Sequence, residues 1–119
     1  KLSEISIGIG PFVIEPAIRR KIGLSAFTQL ALKSQTFFSA KWAREKGLFA
    51  DVFESNNDLN SEVEILANEL SHYNPEALSA LKNILWQDIN NWDELLKDRA
   101  SISGDLVLSS FAKSFLNNY

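Results

Sequence analysis

Val63, Leu66, Ala67 and Leu70 recur at i, i+3, i+4 and i+7, which lays one apolar stripe along one side of a helix. The sequence after this stripe is more of the same kind. Asn74 and Pro75 break the chain and start another helix, with Asn74 at the N-cap and Pro75 at the first position. Leu78, Leu81, Leu85 and Trp86 line its face. Asn90 and Asn91 make a further break, Trp92 to Ile102 reads as helical around Leu95 and Leu96, and a last helix is expected after Gly104, from Leu106 to Leu116, carrying Val107, Phe111 and Phe115. Helices that are each apolar on one side make a thin layer rather than a self-sufficient globule. They leave apolar surface in water unless they pack on something else. Self-association, or docking on another domain, is therefore expected of this half.

The first half reads differently. Leu2, Ile5, Ile7 and Ile9 partly alternate, which predicts a short strand ended by Gly8, Gly10 and Pro11. Glu15 is placed as the N-cap of a helix with Pro16 in its first turn. That helix runs from Ala17 to Ile22 and closes at Gly23, with Arg19, Arg20 and Lys21 complementing its C-terminal dipole. Ser25 caps the next helix, where Phe27, Leu30, Ala31 and Leu32 supply the apolar side. Thr36 to Phe38 is a short extended link. Ser39 caps a further helix through Lys46, and Gly47 stops it. Leu48 to Phe53 reads as a second short strand, and the polar run Glu54 to Asn60 as a linker. The predicted class is mostly α with a little β. A strand at the start needs partners, and Lys1 is not a natural initiator, so sequence upstream of Lys1 is expected.

Composition removes several functions. There is no cysteine, which excludes disulfides, thiolate metal sites and cysteine nucleophiles, and the single His72 cannot build a histidine-rich metal site. A net charge of −3 gives no basic footprint for nucleic acid, although a local basic pocket for a phosphorylated cofactor stays open. No apolar run approaches the roughly 20 residues that span a bilayer, and no signal peptide opens the chain. A soluble, cytoplasmic protein without membrane contact is the expectation.

Three stretches carry a resemblance. Ser3 to Pro11 reads S-E-I-S-I-G-I-G-P, Phe38 to Phe53 reads F-S-A-K-W-A-R-E-K-G-L-F-A-D-V-F, and Tyr73 to Lys82 reads Y-N-P-E-A-L-S-A-L-K. In this order and spacing they resemble the C-terminal half of the crotonase, or enoyl-CoA hydratase/isomerase, superfamily. The resemblance implies that residues 1–54 are the tail of a spiral ββα core and residues 55–119 a helical region that packs trimers or hexamers. It also implies that the oxyanion-hole amides and a first catalytic glutamate lie upstream, so that these residues alone are expected to be inactive. Pro11-Phe12-Val13-Ile14-Glu15-Pro16 stands where many hydratases have a glycine-rich turn. That is closer to methylglutaconyl-CoA-hydratase-like bacterial members, and it tilts the expected substrate toward branched or carboxylated acyl chains.

Hydrating a double bond conjugated to a thioester needs backbone N–H groups aimed at the thioester oxygen and a carboxylate to move protons between water and the α-carbon. The resemblance places Glu4 as the second of two catalytic glutamates, with Ile5, Ile7 and Ile9 drying its surroundings, and the backbone N–H of Phe12 beside the water. The rival reading of Glu4 is a solvated acid at a strand edge. Glu15 is a second candidate acid whose plainer role is the helix cap. Arg19, Arg20 and Lys21 fit either coenzyme A phosphates or the helix dipole. Phe115 matches the family's aromatic at the adenine pocket, but also suits core packing. The family's nearby lysine is Asn118 here, and Lys113 could substitute one turn earlier. His72 suits a surface or capping role, and Trp42, Trp86 and Trp92 suit packing. No cofactor is required beyond coenzyme A as the carrier of the acyl substrate, and no metal is expected. The competing function is a non-enzymatic helical oligomerisation module on the same scaffold.

Overall fold

The computed structural model describes residues 1–118, and it is mostly helical, with no strand among them. Six α-helices follow in order: α1 Glu15–Leu32, α2 Ala40–Glu45, α3 Asn56–Ser71, α4 Pro75–Leu85, α5 Trp92–Val107 and α6 Ser110–Asn117. Two short 3-10 turns, Glu4–Ile7 and Gln87–Ile89, complete the elements. The chain groups into two compact units. One joins Lys1–Ala50 to Asp93–Tyr119, and the other is Asp51–Trp92.

Local chemistry explains several helix starts. Ser39, Asn74 and Ser109 each accept a backbone N–H with the side-chain oxygen, from Trp42 at 3.1 Å, Ala77 at 3.0 Å and Ala112 at 3.2 Å respectively. Gly23 leaves helical geometry inside α1, at φ 74 and ψ 167, so α1 is two helical runs across a kink. A Cβ there would meet nothing within 4 Å, so the backbone conformation, not lack of space, calls for glycine.

Four expectations change. The strand expected from Leu2 to Ile9 is the 3-10 turn Glu4–Ile7. Ser6 donates to Ser3 O through both its N–H (3.0 Å) and its hydroxyl (2.6 Å), and Gly8 closes the turn at φ 86. Alternation over so few residues cannot hold a strand without a neighbour to pair with. The strand expected at Leu48 to Phe53 is absent for a related reason: the N–H groups of Leu48 and Phe49 both turn back to Ala43 O, at 2.8 and 3.3 Å. The "linker" at Glu54 to Asn60 is the start of α3, where Ser55 Oγ accepts from the Asp58 N–H at 3.1 Å and donates to its carboxylate at 2.7 Å. Gly104 does not end a helix, because α5 runs on to Val107 and the break falls at Leu108–Ser109.

The core of the first unit is small. Ile22, Ala26, Phe27, Leu30 and Ala31 on α1 form its centre, with Leu2, Ile18, Phe38, Trp42 and Leu48 packed around it. Phe38 and Trp42 meet with ring centroids 4.3 Å apart. In the second unit no residue of α3 or α4 is buried. Trp86 and Trp92 pack edge to face there, with centroids 6.5 Å apart.

Gly104 sits exposed in the interior of α5, and nothing lies within 4 Å of where its Cβ would be. Gly104→Ala is expected to stabilise the protein by about 0.5–1 kcal/mol, because alanine loses less backbone freedom on folding. Urea denaturation followed by far-UV circular dichroism reads this as a higher midpoint at unchanged slope.

Candidate active site

Glu4 is the first residue of the 3-10 turn, and its backbone oxygen accepts from the Ile9 N–H at 3.1 Å. Its side chain is the unusual part. Oε2 has essentially no accessible surface and no hydrogen-bond partner. Leaving a polar atom so costs of the order of 1–3 kcal/mol. The residue as a whole is half-buried, and Glu15 Oε2 is in the same condition.

The turn is backed by α6. A Cβ on Gly8 would come within 2.6 Å of the Phe111 ring and 3.5 Å of Ala112 N, so turn and helix meet closely at this glycine. Ala112 is the most buried of the core residues, at 1% exposure. This packing brings Phe115 to the same end of the unit. Phe115 and Leu116 line an open cleft of about 390 Å³ together with Lys1, Ser3, Ser6, Ile7 and Gln35. Glu4 does not line that cleft; its neighbours Ser3 and Ser6 do. Thus Glu4 from the start of the sequence and Phe115 from near its end, both assigned by the same resemblance, fall on one packed pair of elements.

The other candidates are placed as follows. Phe12 lies in the turn before α1, and its ring folds over Gly10, where a Cβ would sit 2.3 Å from it. Lys113 is exposed on α6 and does not line the cleft. Asn118 closes α6, its side-chain amide donating to Ser114 O at 2.9 Å. His72 is exposed at the end of α3, with Nδ1 2.7 Å from Asn68 O, which is a capping contact. Trp42 packs on Phe38, and Trp86 on Trp92.

Glu15 is not the N-cap. Ile14 holds that position without a side-chain bond, and Glu15 is the first residue of α1. Its Oε1 accepts from Arg19 Nε at 2.8 Å, while Oε2 lies 3.9 Å from an Arg99 nitrogen, too far for a hydrogen bond. Glu15 thus ties α1 to α5. Both arginines are at least a third exposed, so the tie contributes at most about 1 kcal/mol. Arg99 was not a sequence candidate, because nothing local in sequence connects it to Glu15.

A second cleft, of about 270 Å³, opens between α1 and α2, lined by Ile18, Leu30, Phe38, Trp42, Leu48 and Phe49 among others. Among the described residues no group of three or more His, Cys, Asp or Glu side chains could hold a metal ion, and no helix is long and apolar enough to cross a membrane. Compared with protein-family models, curated proteins and solved structures, the chain gives no match.

Proposed function

We propose that this chain supplies a proton-transferring carboxylate, Glu4, to an enzyme of the enoyl-CoA hydratase/isomerase kind acting on acyl-CoA thioesters. The observation that carries the reading is the Glu4 oxygen held from water with no hydrogen-bond partner. Glu15 Oε2 is equally buried and without a hydrogen-bond partner, but it lies beside the Arg99 guanidinium at 3.9 Å. In this reading water adds across the conjugated double bond: its oxygen bonds the β-carbon, and a proton reaches the α-carbon. Glu4 moves that proton, the Phe12 N–H helps hold the water, and the acyl group arrives on coenzyme A. Phe115 faces the adenine, and Lys113 stands in for the family's lysine near that aromatic. Support for the last pair is unequal, since Phe115 lines a cleft beside the Glu4 turn and Lys113 does not.

The test is isotopic. The protein expressed from the whole reading frame that contains this sequence is incubated with crotonyl-CoA and methylglutaconyl-CoA in D2O. Deuterium at the α-carbon, read by mass spectrometry, is expected for hydration and isomerisation alike. Absence of both exchange and turnover with every enoyl-CoA tried would end the reading.

A second reading is favoured by a separate observation: α3 and α4 bury no residue at all. We infer that residues 51–92 act as an association module, whose apolar sides are covered by protein in the assembled state.

A further inference from the structure

We propose that Trp86 and Trp92 form a binding corner for a quaternary ammonium group of the choline type. The site lies wholly within the unit Asp51–Trp92 and uses nothing of the Glu4 site.

The chain sets the two indoles on either side of a helix break. Helix α4 ends at Leu85, and Trp86 caps it, its N–H donating to Lys82 O at 3.1 Å and to Asn83 O at 3.3 Å. The 3-10 turn Gln87–Ile89 follows, with the Ile89 N–H reaching back to Trp86 O at 3.4 Å. Trp92 then opens α5. Both rings are therefore carried by helix ends joined through one short turn, which orders them before any ligand arrives. Their centroids are 6.5 Å apart and their planes 79° to each other. Where the edge of one indole meets the face of the other, the corner is bounded by the π faces of both. A cation in that corner lies within roughly 6 Å of both centroids, the range over which a ring quadrupole attracts positive charge, and indole is the strongest such face.

Exposure sets the pair apart from ordinary packing. Tryptophan is on average a highly buried residue, yet Trp86 is 46% exposed, and α4, which leads into it, buries no residue.

Charge selects the occupant. Residues 51–92 hold eight acidic side chains and one basic one, Lys82, and Asp88 lies in the turn that joins the two tryptophans. A surface of one sign concentrates counter-ions and repels anions, whereas a neutral ring stacked here would draw nothing from it. Among cations, a metal ion needs converging ligands, and no group of three or more His, Cys, Asp or Glu that could hold one occurs among the described residues. A primary ammonium is strongly hydrated and gives up its water on an aromatic face. A quaternary ammonium has no N–H to satisfy, and its methyl groups pack on the indoles while its charge meets their faces.

The test is heteronuclear NMR of the indole N–H groups in the whole chain at constant ionic strength. The chain has three tryptophans, and Trp42, which packs on Phe38 in the other unit, is the internal reference. Choline chloride is expected to shift the Trp86 and Trp92 signals saturably and to leave Trp42 in place. Dimethylbutanol, the neutral alcohol in which carbon replaces the charged nitrogen, is expected to bind at least about fivefold more weakly. Trp86→Leu keeps apolar bulk and removes one π face; the Trp92 signal is then expected to report choline binding weakened at least about fivefold, with native helicity by circular dichroism. No saturable shift, equal affinity for choline and the alcohol, or a folded Trp86→Leu variant that binds as the parent does would each overturn the proposal. Should that variant fail to fold, choline against the alcohol on the native chain still decides. The titration involves neither an enoyl-CoA nor association of the chain, so it fails separately from both readings above.

Discussion

If Glu4 carries the proposed chemistry, Glu4→Gln is expected to lower α-proton exchange and hydration of enoyl-CoA by roughly 10²–10⁴-fold in the whole protein, the range for removing a positioned acid–base group. Glutamine keeps the size and one carbonyl oxygen, so the loss is expected in kcat with KM little changed, as for an interaction made in the transition state. Stability moves the other way. One carboxylate oxygen of Glu4, Oε2, is buried with no hydrogen-bond partner, so an amide group in its place breaks no bond there. The variant is expected to melt at or above the temperature of the parent, the usual trade between a costly functional group and stability. A variant with undiminished exchange, or one that loses activity only because it unfolds, would remove Glu4 from the chemistry. The same assay on residues 1–119 alone is expected to show no turnover of crotonyl-CoA or methylglutaconyl-CoA.

Gly8→Val is the largest expected loss of stability, about 2–4 kcal/mol. Gly8 sits at φ 86, where a β-branched residue is strained, and its Cβ would enter the Phe111 ring at 2.6 Å. The two contributions separate by substitution. Gly8→Asn, which tolerates positive φ, is expected to cost roughly 1 kcal/mol less than valine. Combining Gly8→Val with Phe111→Ala relieves the clash but not the backbone strain. Phe111 is 62% exposed, so its ring has room to swing, and the backbone share is expected to dominate. Equal denaturation midpoints for the valine and asparagine variants would mean that the left-handed conformation is not what Gly8 provides.

How much of this was legible in the sequence follows from how far each interaction reaches. Ser39, Asn74-Pro75, Gly23 and Gly47 act within a turn of themselves, and each stops or starts a helix as its chemistry predicts. Ser55-Asn-Asn-Asp58 carried the same kind of signal, but its polar composition read as a linker. The two expected strands failed because alternation implies a partner, and short apolar segments with nothing to pair with close into turns instead. Glu4 and Phe115 could be named from the sequence, yet that both lie on packed elements could not. Gly8 against Phe111 and Glu15 near Arg99 are contacts between distant segments that no local pattern encodes. The crotonase resemblance rests on the three stretches quoted above and gains no support from outside the chain.

The contact of Gly8 with Phe111 spans roughly a hundred residues of chain. Closing so large a loop is slow compared with winding a helix, because the entropy of bringing its ends together is lost before the contact returns anything. During synthesis the turn bearing Glu4 therefore emerges long before its support on α6 exists, while α1 can coil at once. The contact that backs the Glu4 turn is thus expected to form late, after α1 has coiled.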